Sequence, residues 1–118
     1  MNEEIVWTLD GNIREGKQDD LRALLSLASE SVESEEAGTL GWEMFVSEDG
    51  TKLHALERYA DSKAALAHLG GFAKIAKDFM AMVEVTGFAV YGAASEELRA
   101  AIADWQPRYH APFGGFRR

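Results

Sequence analysis

Gly38 to Leu69, GTLGWEMFVSEDGTKLHALERYADSKAALAHL, reads as strand, tight turn, strand and capped helix. Asp49-Gly50 separates two β-prone runs, the signature of a two-residue hairpin. With that pair at the turn's centre, Glu48 faces Thr51, Val46 faces Leu53 and Trp42 faces Glu57. Side chains alternate along strands, so Leu40, Trp42, Met44, Val46, Leu53, Ala55, Glu57 and Tyr59 share one face. Gly41, Glu43, Phe45, His54, Leu56 and Arg58 share the other.

Glu57 is the one charged residue on the first, otherwise apolar face. A carboxylate there must find a partner, take up a proton or reach water. Two readings stand side by side: a bond to Tyr59 or a backbone amide near a sheet end, or a place in a functional site.

Working outward toward the N-terminus, Glu4 to Leu9 is a short β-prone run before a loop at Asp10-Gly11, which Glu15-Gly16 closes. A helix begins at Asp19 or Asp20, acidic at its positive end. Leu21, Leu24, Leu25, Ala28 and Val32 form its apolar stripe, and Glu30, Glu33, Glu35 and Glu36 read as its solvated surface. Beyond the hairpin, Asp61 is the N-cap of a helix over Ser62 to Leu69. Gly70-Gly71 breaks or bends that segment, and Phe72, Ile75, Ala76 and Phe79 resume the stripe. Glu84 to Tyr91 is a fourth strand, with Gly87 marking a bulge or close approach. Ser95 caps a short helix whose Leu98 and Ile102 face inward. The tail DWQPRYHAPFGGFRR is apolar enough to dock, on its own domain or on a partner.

The order β-α-β-β-α-β predicts an α+β, ferredoxin-like fold with an antiparallel four-stranded sheet. A single domain over 1–118 is expected, with 95–118 as a C-terminal helix and docking tail. One helical layer covers one sheet face, while Phe45 and Leu56 lie on the other. A homodimer through that sheet face is therefore expected.

Composition narrows the function classes. A net charge of −8 argues against nucleic acid and anionic membrane surfaces as partners. No apolar run reaches the ~18 residues of a membrane span, and the N-terminal MNEEIVW does not read as a signal peptide. A cytoplasmic protein is the resulting expectation. Without cysteine there is no disulfide, thiol nucleophile or thiolate metal site. The three histidines are dispersed without carboxylates at ligand spacing, so no metal is expected. No glycine-rich phosphate loop is present, so nucleotide binding has no support.

The residues from Gly38 to His68 carry a resemblance. GTLGWEMFVSEDGT, LERYAD and ALAHL are similar to the antibiotic biosynthesis monooxygenase domain of the dimeric α/β-barrel superfamily. The likeness extends through Val90-Tyr91-Gly92. It implies a cofactor-free oxygenase, using no metal, haem or flavin, with a pocket between sheet and helices closed on a hydrophobic aromatic ligand. The pattern Glu57, Tyr59, Asp61, Ala65, His68 matches the family's, and an aromatic is frequent at the position of Trp42.

On the residues themselves, His68 titrates near neutrality and can exchange a proton with a phenolic substrate. In that role its removal is expected to leave the folded dimer intact; equally, it can be a half-buried histidine bonded to a carbonyl at the Gly70-Gly71 break, whose removal lowers the melting temperature. Tyr59 and Glu57 are candidates to orient the substrate, and Trp42 and Phe72 to stack a planar ring; each also fits as an ordinary core residue. His54 reads as part of a charge cluster with Glu43 and Arg58, and His110 as exposed. Two functions follow: a cofactor-free monooxygenase of quinols, phenols or anthrones, or a non-catalytic dimeric module that binds a small hydrophobic molecule or a partner. An open pocket lined by His68 favours the first, a filled interior the second.

Overall fold

The computed structural model describes residues 3–118; Met1 and Asn2, the start of the stretch read for a signal peptide, lie outside them. The strands are β1 (Ile5–Ile13), β2 (Thr39–Val46), β3 (Lys52–Tyr59), β4 (Val83–Tyr91) and β5 (Arg108–His110). The helices are α1 (Gln18–Glu35), α2 (Ser62–Phe72), α3 (Ala76–Met82) and α4 (Glu96–Ile102). The sheet runs β2-β3-β1-β4-β5, with β5 parallel to β4 and the other pairs antiparallel. The fold is thus the ferredoxin-like α+β plan, its sheet extended to five strands and mixed rather than four and antiparallel. The tail causes the difference: after the turn at Ala103–Trp105, Arg108 to His110 pairs with Ala89 to Tyr91.

The hairpin register is as expected, Trp42 opposite Glu57 and Val46 opposite Leu53. Its turn is not. The Gly50 amide bonds to the Ser47 carbonyl at 2.8 Å, so Glu48 and Asp49 occupy the centre and Gly50 follows with φ of 75°. Asp49 favours this turn because its Oδ1 accepts from the Ser47 hydroxyl, the Thr51 hydroxyl and the Thr51 amide. Those bonds, the Ser47 hydroxyl foremost, lower its pKa to about 2. Gly50→Val should cost roughly 1 kcal/mol or more, because a β-branched residue is strained at positive φ. Gly50→Asn should cost much less, and urea melts of the two variants compare them directly. Equal losses would mean that strain at this φ is not what selects glycine.

Two further expectations are corrected. Asp10-Gly11 is no loop, for β1 continues through it to Ile13. A Cβ on Gly11 would come within 2.5 Å of Val83 Cγ1, so glycine permits the close approach of β4. The register shift there leaves Thr86 as the extra residue beside Gly87, where the sequence marked a bulge. Likewise Gly70-Gly71 does not break the helix; α2 runs on to Phe72 before a turn leads into α3. Leu40 is the extra residue of a second bulge, between Thr39 and Gly41, and stays exposed rather than joining the Trp42 face.

The helices pack on one sheet face. Ile5, Trp7 and Leu9, Leu53, Ala55 and Tyr59, and Phe88 and Val90 supply the sheet's side of the core, with Leu21, Ala65, Phe79, Leu98 and Ile102 from the helices. Two caps behave as read: Asp61 accepts from the Ala64 amide at 2.8 Å and Ser95 from the Leu98 amide at 3.1 Å. The opposite sheet face leaves Phe45 49% and Tyr91 40% exposed. Among the described residues, no helix is long and apolar enough to cross a membrane.

Candidate active site

Between the sheet and the helices lies a cleft of about 530 Å³, counting its open mouth. Trp7, Trp42, Phe72, Phe88 and Trp105 give it aromatic walls. The Trp7 ring lies 5.4 Å from Phe88, and Phe72 lies 6.0 Å from Trp105. Among the described residues, Glu57 and His68 are the only ionisable side chains on its lining, and both are buried. The cleft is therefore an apolar slot with one polar end.

Local sequence positions each partner at that end. Glu57 and Tyr59 sit two residues apart on β3, so both point to the helical side, and the Tyr59 hydroxyl donates to Glu57 Oε1 at 2.6 Å. His68 lies two turns along the helix that Asp61 caps, which aims its ring at the same spot. Its Nε2 lies 3.3 Å from Glu57 Oε1 and its Nδ1 lies 2.7 Å from Glu36 Oε1. Glu36 Oε1 also accepts from the Thr39 hydroxyl at 2.9 Å. The result is a continuous polar chain, Tyr59–Glu57–His68–Glu36–Thr39.

Glu57 Oε2 bonds to no side chain or amide among the described residues. No fully buried side-chain nitrogen or oxygen there lacks a partner, so Oε2 opens onto the cleft.

The electrostatics follow from the geometry. Burial opposes a charge on His68, but the hydrogen bonds and charges of Glu57 and Glu36 outweigh it and raise its pKa above the ordinary 6.5. Burial, then the charge of Glu57, pushes the Tyr59 hydroxyl well above 10, so it stays a donor.

The residues singled out from the sequence come together here: Glu57, Tyr59 and His68 are in mutual contact, and Trp42 and Phe72 flank His68 with ring centroids 6.3 and 6.4 Å away. His68 meets carboxylates rather than a carbonyl at Gly70-Gly71. Glu36 is a correction, since it is turned onto His68 instead of solvent. Trp7 and Trp105 were not anticipated as cleft walls; only the alternation of Ile5, Trp7 and Leu9 hinted at the first. His54 pairs with Asp10 on β1 at 2.7 Å, rather than clustering with Glu43 and Arg58, and His110 stacks on Tyr91 at an exposed edge. Among the described residues no group of three or more His, Cys, Asp or Glu is arranged to hold a metal ion.

Comparison with known proteins bears on this geometry. A family model described as antibiotic biosynthesis monooxygenase matches residues 11–84. No curated protein matches. Among solved structures, MupZ from Pseudomonas fluorescens superposes with a TM-score of 0.87 at 23% identity, over 100% of this chain and 91% of that one. SnoaB from Streptomyces nogalater, a cofactor-independent oxygenase, superposes with a TM-score of 0.66 at 12% identity, over 79% of this chain and 95% of that one. At these identities the likeness is one of fold.

Proposed function

This chain belongs to the antibiotic biosynthesis monooxygenase family, and from that premise we propose that it is a cofactor-independent monooxygenase oxidising a small aromatic substrate with dioxygen. The substrate class is a phenol, quinol or anthrone-like ring. The carrying observation is the Glu57–His68 pair at the single polar end of an aromatic-walled cleft.

In this reading the pair is one acid–base unit. Glu57 Oε2 accepts the substrate's hydrogen bond, and the proton removed comes to rest between Glu57 Oε1 and His68 Nε2. Tyr59 fixes the carboxylate by donating to Oε1. Trp42 and Phe72 stack the ring and hold water away, which raises the reactivity of the anion. For an anthrone-like methylene, the anion gives one electron to dioxygen and the radical pair joins through a C–O bond. The peroxide takes back the proton. Loss of the second C–H proton then breaks the O–O bond, leaving a carbonyl and one water. The ionisable pair at one end of an aromatic-walled cleft favours this reading over a non-catalytic module.

Oxygen uptake with hydroquinones and anthrones, with and without a metal chelator, tests the proposal. Uptake should survive chelation and should rise with pH through the elevated His68 value, because the unit accepts a proton only once it has lost its own. No uptake with any such substrate would sink it.

We place the homodimer on the outer sheet face, where Phe45 and Tyr91 are exposed. Phe45→Asp should raise the monomer fraction in sedimentation at micromolar concentration and lower the melting temperature together, since burial and association are linked. A wild-type monomer at that concentration would refute the assembly.

A further inference from the structure

His68 is a partition between two cavities. On one side is the aromatic cleft. On the other, between α1 and the α2–α3 turn, lies a second cavity of about 460 Å³ including open solvent. Trp42, His68 and Phe72 line both. Nothing else in the partition can carry a proton across: Trp42 and Phe72 do not titrate, and His68 turns one ring nitrogen to each side. Nε2 faces Glu57 at the cleft, and Nδ1 faces Glu36 on the lining of the second cavity.

The two cavities differ in character. The second is rimmed by Ser31, Glu35, Glu36 and Lys74, and the last three bear charge. Side-chain exposure is 8% at Glu57 and 5% at His68, and it is highest, 15%, at Glu36 on the side of the second cavity. The sequence also makes room for Glu36. A Cβ on Gly71 would stand 2.8 Å from Glu36 Oε2, so a glycine inside α2 lets the carboxylate lie against that helix.

Resting on the acid–base reading above, we propose that Glu36 is a positioning residue and the proton outlet of the site. It holds the imidazole with Nδ1–H toward itself and Nε2 toward Glu57, and passes protons between His68 and water in the second cavity. The resting unit can then lose its proton, as it must before it can act as a base, without opening the substrate-side cleft to water. The groups facing His68 are Glu57 and Tyr59 from β3 and Glu36 from the end of α1, with Glu35 and Lys74 at the far rim.

The test needs no substrate, so it stands apart from the oxygenase reading. The rate at which the His68 ring N–H protons exchange with water is measured by nitrogen-15 NMR in wild type, Glu36→Gln and Gly71→Ala. In Glu36→Gln the amide oxygen can still accept from Nδ1–H and from Thr39, but the side chain cannot take a proton. Exchange at Nδ1 should slow about tenfold in that variant, and millimolar formate, small enough for the second cavity, should restore it. Gly71→Ala keeps the charge but displaces Oε2, so exchange should slow there too. Unchanged exchange in both variants would overturn the outlet, whether or not any aromatic is oxidised. Slowed exchange with no oxygen uptake in wild type would uphold the outlet and reject the oxygenase.

Discussion

His68→Gln is expected to lower oxygen-dependent turnover by about 10²-fold or more, the usual consequence of losing a general base. Glutamine fills similar space and can donate its amide to one of the two carboxylates. It cannot store a proton, and the rise of activity with pH should vanish along with the rate. Glu57 alone is a poor substitute. A carboxylate is an intrinsically weaker base than an imidazole, so the variant keeps only the weaker half of the unit. Steady-state oxygen consumption between pH 6 and 9 is the measurement. Wild-type turnover in His68→Gln would end the acid–base role of this residue and leave the fold assignment untouched.

His68→Ala should in addition cost about 3–5 kcal/mol of stability, the range for removing one partner from a buried ion pair. The sequence alone suggests a small penalty, because a lone histidine reads as half-solvated. In the fold the ring is buried with a carboxylate on each side, so alanine leaves Glu36 and Glu57 desolvated without a cation between them. The pH dependence carries a definite sign. A folded-state pKa raised above 6.5 means that the stabilisation from charged His68 is fully present below 6.5 and fades as pH rises through the folded value. Denaturant melts should therefore show wild type and His68→Ala far apart at pH 6 and closer at pH 9. A constant gap across that range would mean that packing, not charge, sets the loss. His68→Gln should fall between the two.

Comparing sequence with structure separates two kinds of information. The hairpin register, the Asp61 and Ser95 caps, the stripe of α1 and the inward set of Glu57 and Tyr59 were legible in the chain. Each depends on alternation, helical period or a side chain bonding a backbone group a few residues away, and such interactions are local. The grouping of Glu57, Tyr59 and His68 came from the family resemblance, while the residues alone left His68 equally open to a carbonyl at Gly70-Gly71.

What the chain did not disclose came from distant segments. Glu36 has the same sequence signature as its exposed neighbour Glu35. Glu36 reaches His68 where Gly38 lies close against α2, a Cβ there standing 2.6 Å from Ala64 Cβ, and where Gly71 leaves room for the carboxylate. Trp7 and Trp105 became cleft walls because β1 is central in the sheet and the tail folds back along β4. The sequence by itself determined four of the strands, the helix caps and the inward side of the hairpin beyond Leu40, but not β5 or the run of β1 through Asp10-Gly11. Tertiary packing alone decided that an imidazole would lie between two carboxylates and between two cavities, because such neighbours are chosen by the burial of whole faces and not by spacing along the chain.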